Sequence, residues 1–309
     1  MASVRTGIVF NPSKTKREEL ERAWASVSPD TEPEWFETTP EDPGQGPARA
    51  AVEAGCELVI AAGGDGTVRA VAEALAGTGV TLGIVPRGTG NLLARNLGVP
   101  LLSVPAALRR AVTEEPRAMD IGVVDMTTEK GVESHAFVVM VGFGLDAQML
   151  AETDDDLKSR AGWLAYVAAM GRALSTSSVL SVSVAVDDEE AAEVEAHTLL
   201  IGNCGAIQGG VTLFPDAELD DGQLDLLVLS AAGPLEWMDT FRAAVWDNGV
   251  MRLFDKDRAA TSTESARHGQ ATRVRVELSE PRAFEIDGEE VGEVTAFEAR
   301  IEAGALRVS

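Results

Sequence analysis

Residues 1–118 predict an α/β domain built on a doubly wound parallel sheet, and residues 119–294 an antiparallel β-rich, sandwich-like domain. Three observations lead there. Short apolar runs alternate with segments of helical period through the first 118 residues. Two of those runs, 58–62 and 81–85, end abruptly in glycine-rich loops that open helices. After Pro116 the texture changes to short β-rich stretches separated by Glu- or Gly-rich turns.

The elements follow in order. Thr6 to Phe10 is the first strand, and a helix over 15–27 begins beside Lys14 and Lys16. Trp35-Phe36 marks a second strand and residues 47–55 a second helix. Residues 58–62 have the length and apolarity of a buried strand. Beyond Gly63-Gly64-Asp65-Gly66-Thr67, the residues Val68, Val71, Ala72 and Leu75 recur at helical spacing. Residues 81–85 repeat the pattern into Pro86-Arg87-Gly88-Thr89-Gly90-Asn91. Leu92, Leu93, Asn96 and Leu97 then give a helix that Gly98 closes and Pro100 stops. A helix near 103–112 completes the series. In the second part, residues 132–142, 178–187, 194–203, 224–230, 271–279 and 282–287 read as strands, and 182–186 (VSVAV) shows the alternation of a half-buried one. Helices near 157–171 and 235–247 interrupt them.

The glycine loops carry the chemistry. A strand that turns through glycines into a helix builds a phosphate site, because glycine lets a ligand approach the backbone and the freed N–H groups attract an anion. Asp65 would repel phosphate, so its presence points to Mg²⁺ or to a hydroxyl beside the phosphates. Taken alone, the pentapeptide also reads as a tight turn with an Asp cap. The second loop argues against coincidence: in an open parallel sheet both loops face one crevice at the strand ends. There Arg87 can lie against a phosphate, with Thr89 and Asn91 in hydrogen-bonding reach.

With both loops in hand, the chain resembles the diacylglycerol kinase catalytic-domain superfamily, in particular its soluble bacterial lipid kinases. GGDGT is shared with NAD kinases and phosphofructokinases, whereas the P-x-G-T-x-N loop is more selective. The resemblance continues through Asn11-Pro12-Ser13, Met119-Asp120-Ile121-Gly122, Gly142-Phe143-Gly144-Leu145-Asp146-Ala147, and Lys158 with Gly162 and Tyr166. It then takes in Asn203, Gly209-Gly210, Pro215, Asp221-Gly222 and Asp287-Gly288-Glu289. It implies an ATP-dependent kinase that phosphorylates a hydroxyl of a diacylglycerol-like or sphingoid lipid. ATP contacts would come from Asn11, Pro12, Ser13, Thr39 (or its neighbour Thr38), Gly63, residues 64–70 (Gly64, Asp65, Gly66, Thr67, Val68, Arg69 and Ala70), Arg87, Gly88, Thr89 and Asn91. Asp65 would act through Mg²⁺ or its water shell, and Glu289 would be the general base. From the residues alone, Glu289 reads as a solvated turn beside Glu290 and Glu293. A structural Mg²⁺ would sit on Glu218, Asp221 and the backbone of Gln223, a stretch that also reads as a plain acidic turn. The β-rich domain would complete the lipid cleft, bordered by the helix starting near Lys158, and residues 295–309 would return to the first domain.

The chain departs from that pattern. Arg69 and Ala70 stand where Asn-Glu often follows GGDGT-x, and Leu92 replaces a common Asp. Arg69 could add positive charge near the phosphates. Two rivals stay open: an NAD kinase-like small-molecule kinase, which shares GGDGT, and a non-catalytic nucleotide-binding regulator whose site has decayed at residues 69, 70 and 92.

Composition bounds the remainder. Cys56 and Cys204 lack metal-ligand spacing and suit a reducing cytoplasm. No basic n-region precedes a long apolar core, so no signal peptide is expected. The most apolar helical stretch, 161–174, is shorter than the ~20 residues a bilayer span needs. A soluble cytoplasmic protein is therefore expected. Net charge is −24, and it is lopsided: residues 1–118 carry 12 basic and 15 acidic residues, residues 119–309 carry 14 and 35. Such a surface excludes nucleic acid as a partner and allows only peripheral, transient membrane contact. Homodimerisation is left open. His135, His197 and His268 are scattered without ligand spacing, and Asp154-Asp155-Asp156 reads as a helix cap.

Overall fold

The computed structural model describes residues 4–144, 179–206, 213–230 and 266–309. Four parallel strands open the chain: β1 (Thr6–Phe10), β2 (Glu34–Glu37), β3 (Leu58–Gly63) and β4 (Thr81–Pro86). They lie in the order β4-β3-β1-β2, so chain order reverses between β1 and β3. That reversal splays the strand ends and leaves a crevice at their carboxyl termini. β1, β3 and β4 are buried throughout, as fully apolar runs require.

Five helices accompany them. In α1 (Arg17–Val27), Leu20, Ala23 and Trp24 are buried at i, i+3, i+4. α2 (Gln45–Glu53) buries Ala48 and Ala51, and the Asp42 carboxylate accepts the Gly44 and Gly46 amides at its start. α3 (Asp65–Leu75) buries Val68, Val71, Ala72 and Leu75, the four residues whose spacing predicts it. α4 (Leu92–Asn96) ends at Gly98, whose φ of 70° is readily adopted only by glycine. α5 (Val104–Thr113) is capped by Ser103 Oγ, which accepts the Ala106 N–H. α1 packs on α5 and α2 on α3.

The β-rich part comprises β5 (Arg117–Thr128), β6 (Gly131–Phe137), β7 (Met140–Phe143), β8 (Leu180–Val186), β9 (Ala192–Ala196), β10 (Thr198–Gly202), β11 (Leu224–Leu229), β12 (Ala266–Ala271), β13 (Arg273–Ile286) and β14 (Glu289–Val308). Its described pairings are antiparallel. β14 joins it to the parallel layer. Its early residues pair with β13 and β5, while Arg307 and Val308 run parallel to Thr81 and Leu82 of β4.

Two apolar cores result. One packs the helices on the parallel strands and draws in Met140, Leu200, Phe214 and Leu306. The other fills the β-rich part around Phe137, Phe143, Phe284 and Phe297. Asn96 bonds Ala206 reciprocally, donating Nδ2 to its carbonyl at 2.8 Å and accepting its N–H at 3.0 Å, which ties α4 to the second half.

The structure differs from the sequence reading in several places. β5, β12 and β14 are strands that it did not anticipate, 132–142 divides into β6 and β7, 194–203 divides into β9 and β10, and 271–279 and 282–287 belong to one strand, β13, with a register shift between Glu277 and Arg282. The predicted helices near 157–171 and 235–247 lie outside the described residues, as do Lys158, Gly162, Tyr166, Gly209-Gly210 and 145–147. Among the described residues, no helix is long and apolar enough to cross a membrane.

Candidate active site

The loops after β3 and β4 interlock. A Cβ added at Gly88 would lie 2.8 Å from the Gly64 Cα, so only glycine allows the two backbones to approach this closely. Arg87 N–H donates to the Gly63 carbonyl at 2.8 Å. Asp65 then bridges the loops: its Oδ2 accepts the Asn91 N–H at 2.7 Å and its Oδ1 the Leu92 N–H at 2.5 Å. Asp65 therefore caps α4 from the neighbouring loop. Burial raises its carboxyl above the ordinary value, and the two amides pull it back down.

Asn91 holds the second loop in shape. At φ 48° it takes a left-handed conformation that Asn tolerates, and its side chain both accepts the Gly88 N–H and donates to the Gly88 carbonyl, each at 2.8 Å. Gly63 makes room for Thr67, whose side chain occupies the space a Cβ would take.

A third element faces these loops. β13 and β14 meet in a hairpin at Asp287-Gly288, with φ of 51° and 83°, the positive pair of a type I′ turn. Asp287 is buried. It accepts the N–H groups of Val138, Val139 and Met140 at 3.0, 2.8 and 3.0 Å, which fixes the hairpin tip to the turn before β7. Burial pushes its carboxyl up to about 6, opposed by those amides and by Arg69.

Between the two loops and the hairpin tip lies a cavity of about 360 Å³. Of the residues predicted to contact ATP, it brings together Asn11, Gly64, Asp65, Gly66, Thr67, Arg69, Ala70, Gly88 and Thr89, with Glu289 opposite, while Val68 is buried away from it. Gly63, Pro12, Ser13, Thr39, Arg87 and Asn91 do not line it. Ser13 donates its N–H and hydroxyl to Asn11 Oδ1. The Thr39 hydroxyl accepts the Asp42 N–H, while Thr38 is buried. Arg87 pairs with Glu19 of α1 at 3.1 Å and, with Asn91, faces a separate hollow of about 510 Å³ beside Lys14 and Arg95.

The sequence reading gave no site role to Lys14, Gln45, Met140 or Asp287, all of which line the main cavity. The Asp-Gly dipeptide was a usable signal for Asp287, since a left-handed turn aims its carboxylate back at the chain. Ala70 stands where a Glu is common; it is buried, lies close to Gly44 and lines the main cavity.

The second acidic turn is built differently. Asp221 Oδ1 accepts the Gln223 N–H at 2.9 Å, Glu218 is exposed, and buried Asp120 ties Gly222 and Gly304 together through their N–H groups at 2.6 Å. Among the described residues, no three His, Cys, Asp or Glu side chains converge as metal ligands. Nearby Asp225 has a buried Oδ2 without a hydrogen bond, and burial with Asp221 and Asp216 pushes its carboxyl up to about 7.

A crevice at a strand-order reversal, lined by glycine loops and faced by a carboxylate, is the kind of arrangement in which α/β proteins receive nucleotide phosphates. Comparisons with known proteins make this specific. Residues 5–124 match the diacylglycerol kinase catalytic domain, and residues 139–309 match the YegS C-terminal NAD kinase beta sandwich-like domain. A Pseudomonas aeruginosa protein named as a YegS-like lipid kinase is 33% identical over 85% of this chain and 81% of its own length. The diacylglycerol kinase of Bacillus subtilis is 29% identical over 92% of this chain and 89% of its own. An uncharacterised Synechocystis protein is 29% identical over 77% of this chain, which spans only 51% of that protein's length. The crystal structure of a diacylglycerol kinase from Bacillus anthracis superposes with a TM-score of 0.70 at 20% identity, covering 100% of this chain and 97% of that one, a likeness of fold. The chain belongs to the diacylglycerol kinase catalytic-domain family of kinases, with a YegS-type C-terminal domain.

Proposed function

We propose that the protein is an ATP-dependent lipid kinase that transfers the γ-phosphate to a hydroxyl of a diacylglycerol-like or sphingoid lipid. One observation carries the reading: the Glu289 carboxylate projects from a rigid hairpin tip onto the start of α3, inside the cavity walled by both glycine loops. Relatives named as lipid and diacylglycerol kinases support the class of acceptor.

The residues fit these roles. The interlocked loops offer close backbone approach for phosphates. Glu289, half-exposed at the cavity mouth, can take the acceptor hydroxyl's proton as the new ester bond forms. Asp65 keeps one lone pair per oxygen beyond its two amide bonds, which suits holding Mg²⁺ through water. Mg²⁺ would neutralise charge on the transferring phosphoryl group. A second cation at Glu218, Asp221 and the Gln223 carbonyl belongs to the same reading and rests on the family resemblance; Glu218 is exposed, and no three acidic side chains converge there among the described residues. Domain roles follow the same reading: 1–118 for nucleotide, 119–294 for the acceptor, with 295–309 joining the first.

The test is incubation with γ-labelled ATP, Mg²⁺ and a panel of lipids in mixed micelles, with NAD as a further acceptor. Label on a diacylglycerol or sphingoid base is expected. Label on NAD, or on nothing while ATP still binds, would refute the lipid-kinase reading.

A further inference from the structure

Among the described residues, three carboxylates line the main cavity, and they are held differently. Asp65 is fixed by the Asn91 and Leu92 amides, and Asp287 by those of Val138, Val139 and Met140. Backbone holds both. Glu289 instead meets a side chain: Arg69 Nη2 donates to its Oε2 at 2.7 Å. Arg69 belongs to α3 and its side chain is 16% exposed, against 53% for Glu289, so the arginine is the seated partner and the glutamate the movable one.

The place where Glu289 rests is informative. A Cβ at Gly66 would collide with Oε1 and lie 3.1 Å from Oε2, so the carboxylate fills the space directly over the beginning of α3. No side chain among the described residues caps that helix. A helix start and a guanidinium together favour a negative charge, and the Glu289 carboxylate supplies one. A phosphate entering between the loops would compete with Glu289 for the same guanidinium. Lys14 is the other cation that lines the cavity among the described residues.

We infer that Arg69 exchanges partners when nucleotide binds, leaving Glu289 for the terminal phosphate of ATP. The exchange anchors the phosphate that is to be transferred, and it frees the Glu289 carboxylate for the acceptor hydroxyl. Arg69 is thus a nucleotide-binding residue that also sets the position of the base. This rests on the kinase reading above.

Calorimetric titration of MgATP and MgADP into the wild-type protein, Arg69→Met, Arg69→Lys and Glu289→Gln tests it. Loss of a charge-assisted hydrogen bond weakens ATP binding in Arg69→Met by about tenfold or more, with a smaller effect on ADP and partial rescue in Arg69→Lys. Glu289→Gln, lacking the competing charge, binds ATP about three- to tenfold more tightly. Arg69→Met with wild-type ATP affinity, or Glu289→Gln with unchanged or weaker affinity, would overturn the exchange and leave the kinase reading standing. A wild-type protein that binds neither nucleotide would overturn both.

Discussion

Asp65 answers to two readings that its sequence context does not separate, a cap and a metal-handling carboxylate. Both of its oxygens accept amides of the second loop, which makes it a cap, while its place in the cavity wall keeps it within reach of a cation's water shell. The two glycine loops were legible as a site because strand–loop–helix grammar brings both to one crevice, whereas Glu289, at a β-hairpin tip, reads from the residues alone as a solvated turn and was singled out by the family resemblance, as was Asn11. Arg87 pairs with Glu19, 68 residues away in the chain, a contact that depends on packing and that no motif encodes, whereas Thr39 closes a local turn with Asp42. The Arg69–Glu289 pair spans 220 residues of chain and leaves no local trace. Asp225 offers a separate test at this scale. Its folded pKa of about 7 stands above the ordinary 3.8, so the native state binds the proton more tightly. Its contribution to stability is full below about pH 4 and is lost as pH rises through about 7. Asp225→Asn should therefore raise the thermal midpoint at pH 8 more than at pH 5. Equal shifts at both pH values would show that the carboxyl is not perturbed.

At the level of elements, the parallel strands and their helices were readable because each is a plain apolar run or a clean helical stripe. β14 was hidden for a physical reason. Gly292 and Gly304 sit within it at positive φ, and register shifts interrupt its pairing with both β13 and β5, so its buried residues never alternate for long. β5 was hidden by the burial of consecutive residues 119–122, which erases the two-residue period. The end of β14 is where the layers join: Leu306 is fully buried, and the Ser309 N–H donates to the Leu82 carbonyl at 3.1 Å. Leu306→Ala leaves a cavity beneath that junction and should lower the free energy of unfolding by ~2–5 kcal/mol in urea denaturation. A loss below ~1 kcal/mol would mean that the strand end contributes little to holding the layers together.

Across the whole molecule, one mixed sheet runs from β12 through β14 to β2, and the candidate site lies where its parallel and antiparallel parts meet. The glycine loops come from the near-neutral part of the chain, and Glu289 from the part that carries 35 of the 50 acidic residues. That division matches the chemistry proposed: phosphate is received where negative charge is low, and the proton acceptor is delivered from the acidic side. The measurement that bears most directly on this account is phosphoryl transfer to lipid by Glu289→Gln beside the wild-type protein, with ATP affinity determined on the same samples. Removing a general base should lower kcat by ~10²–10⁴-fold while ATP remains bound at least as tightly. Transfer at the wild-type rate by Glu289→Gln would contradict the account.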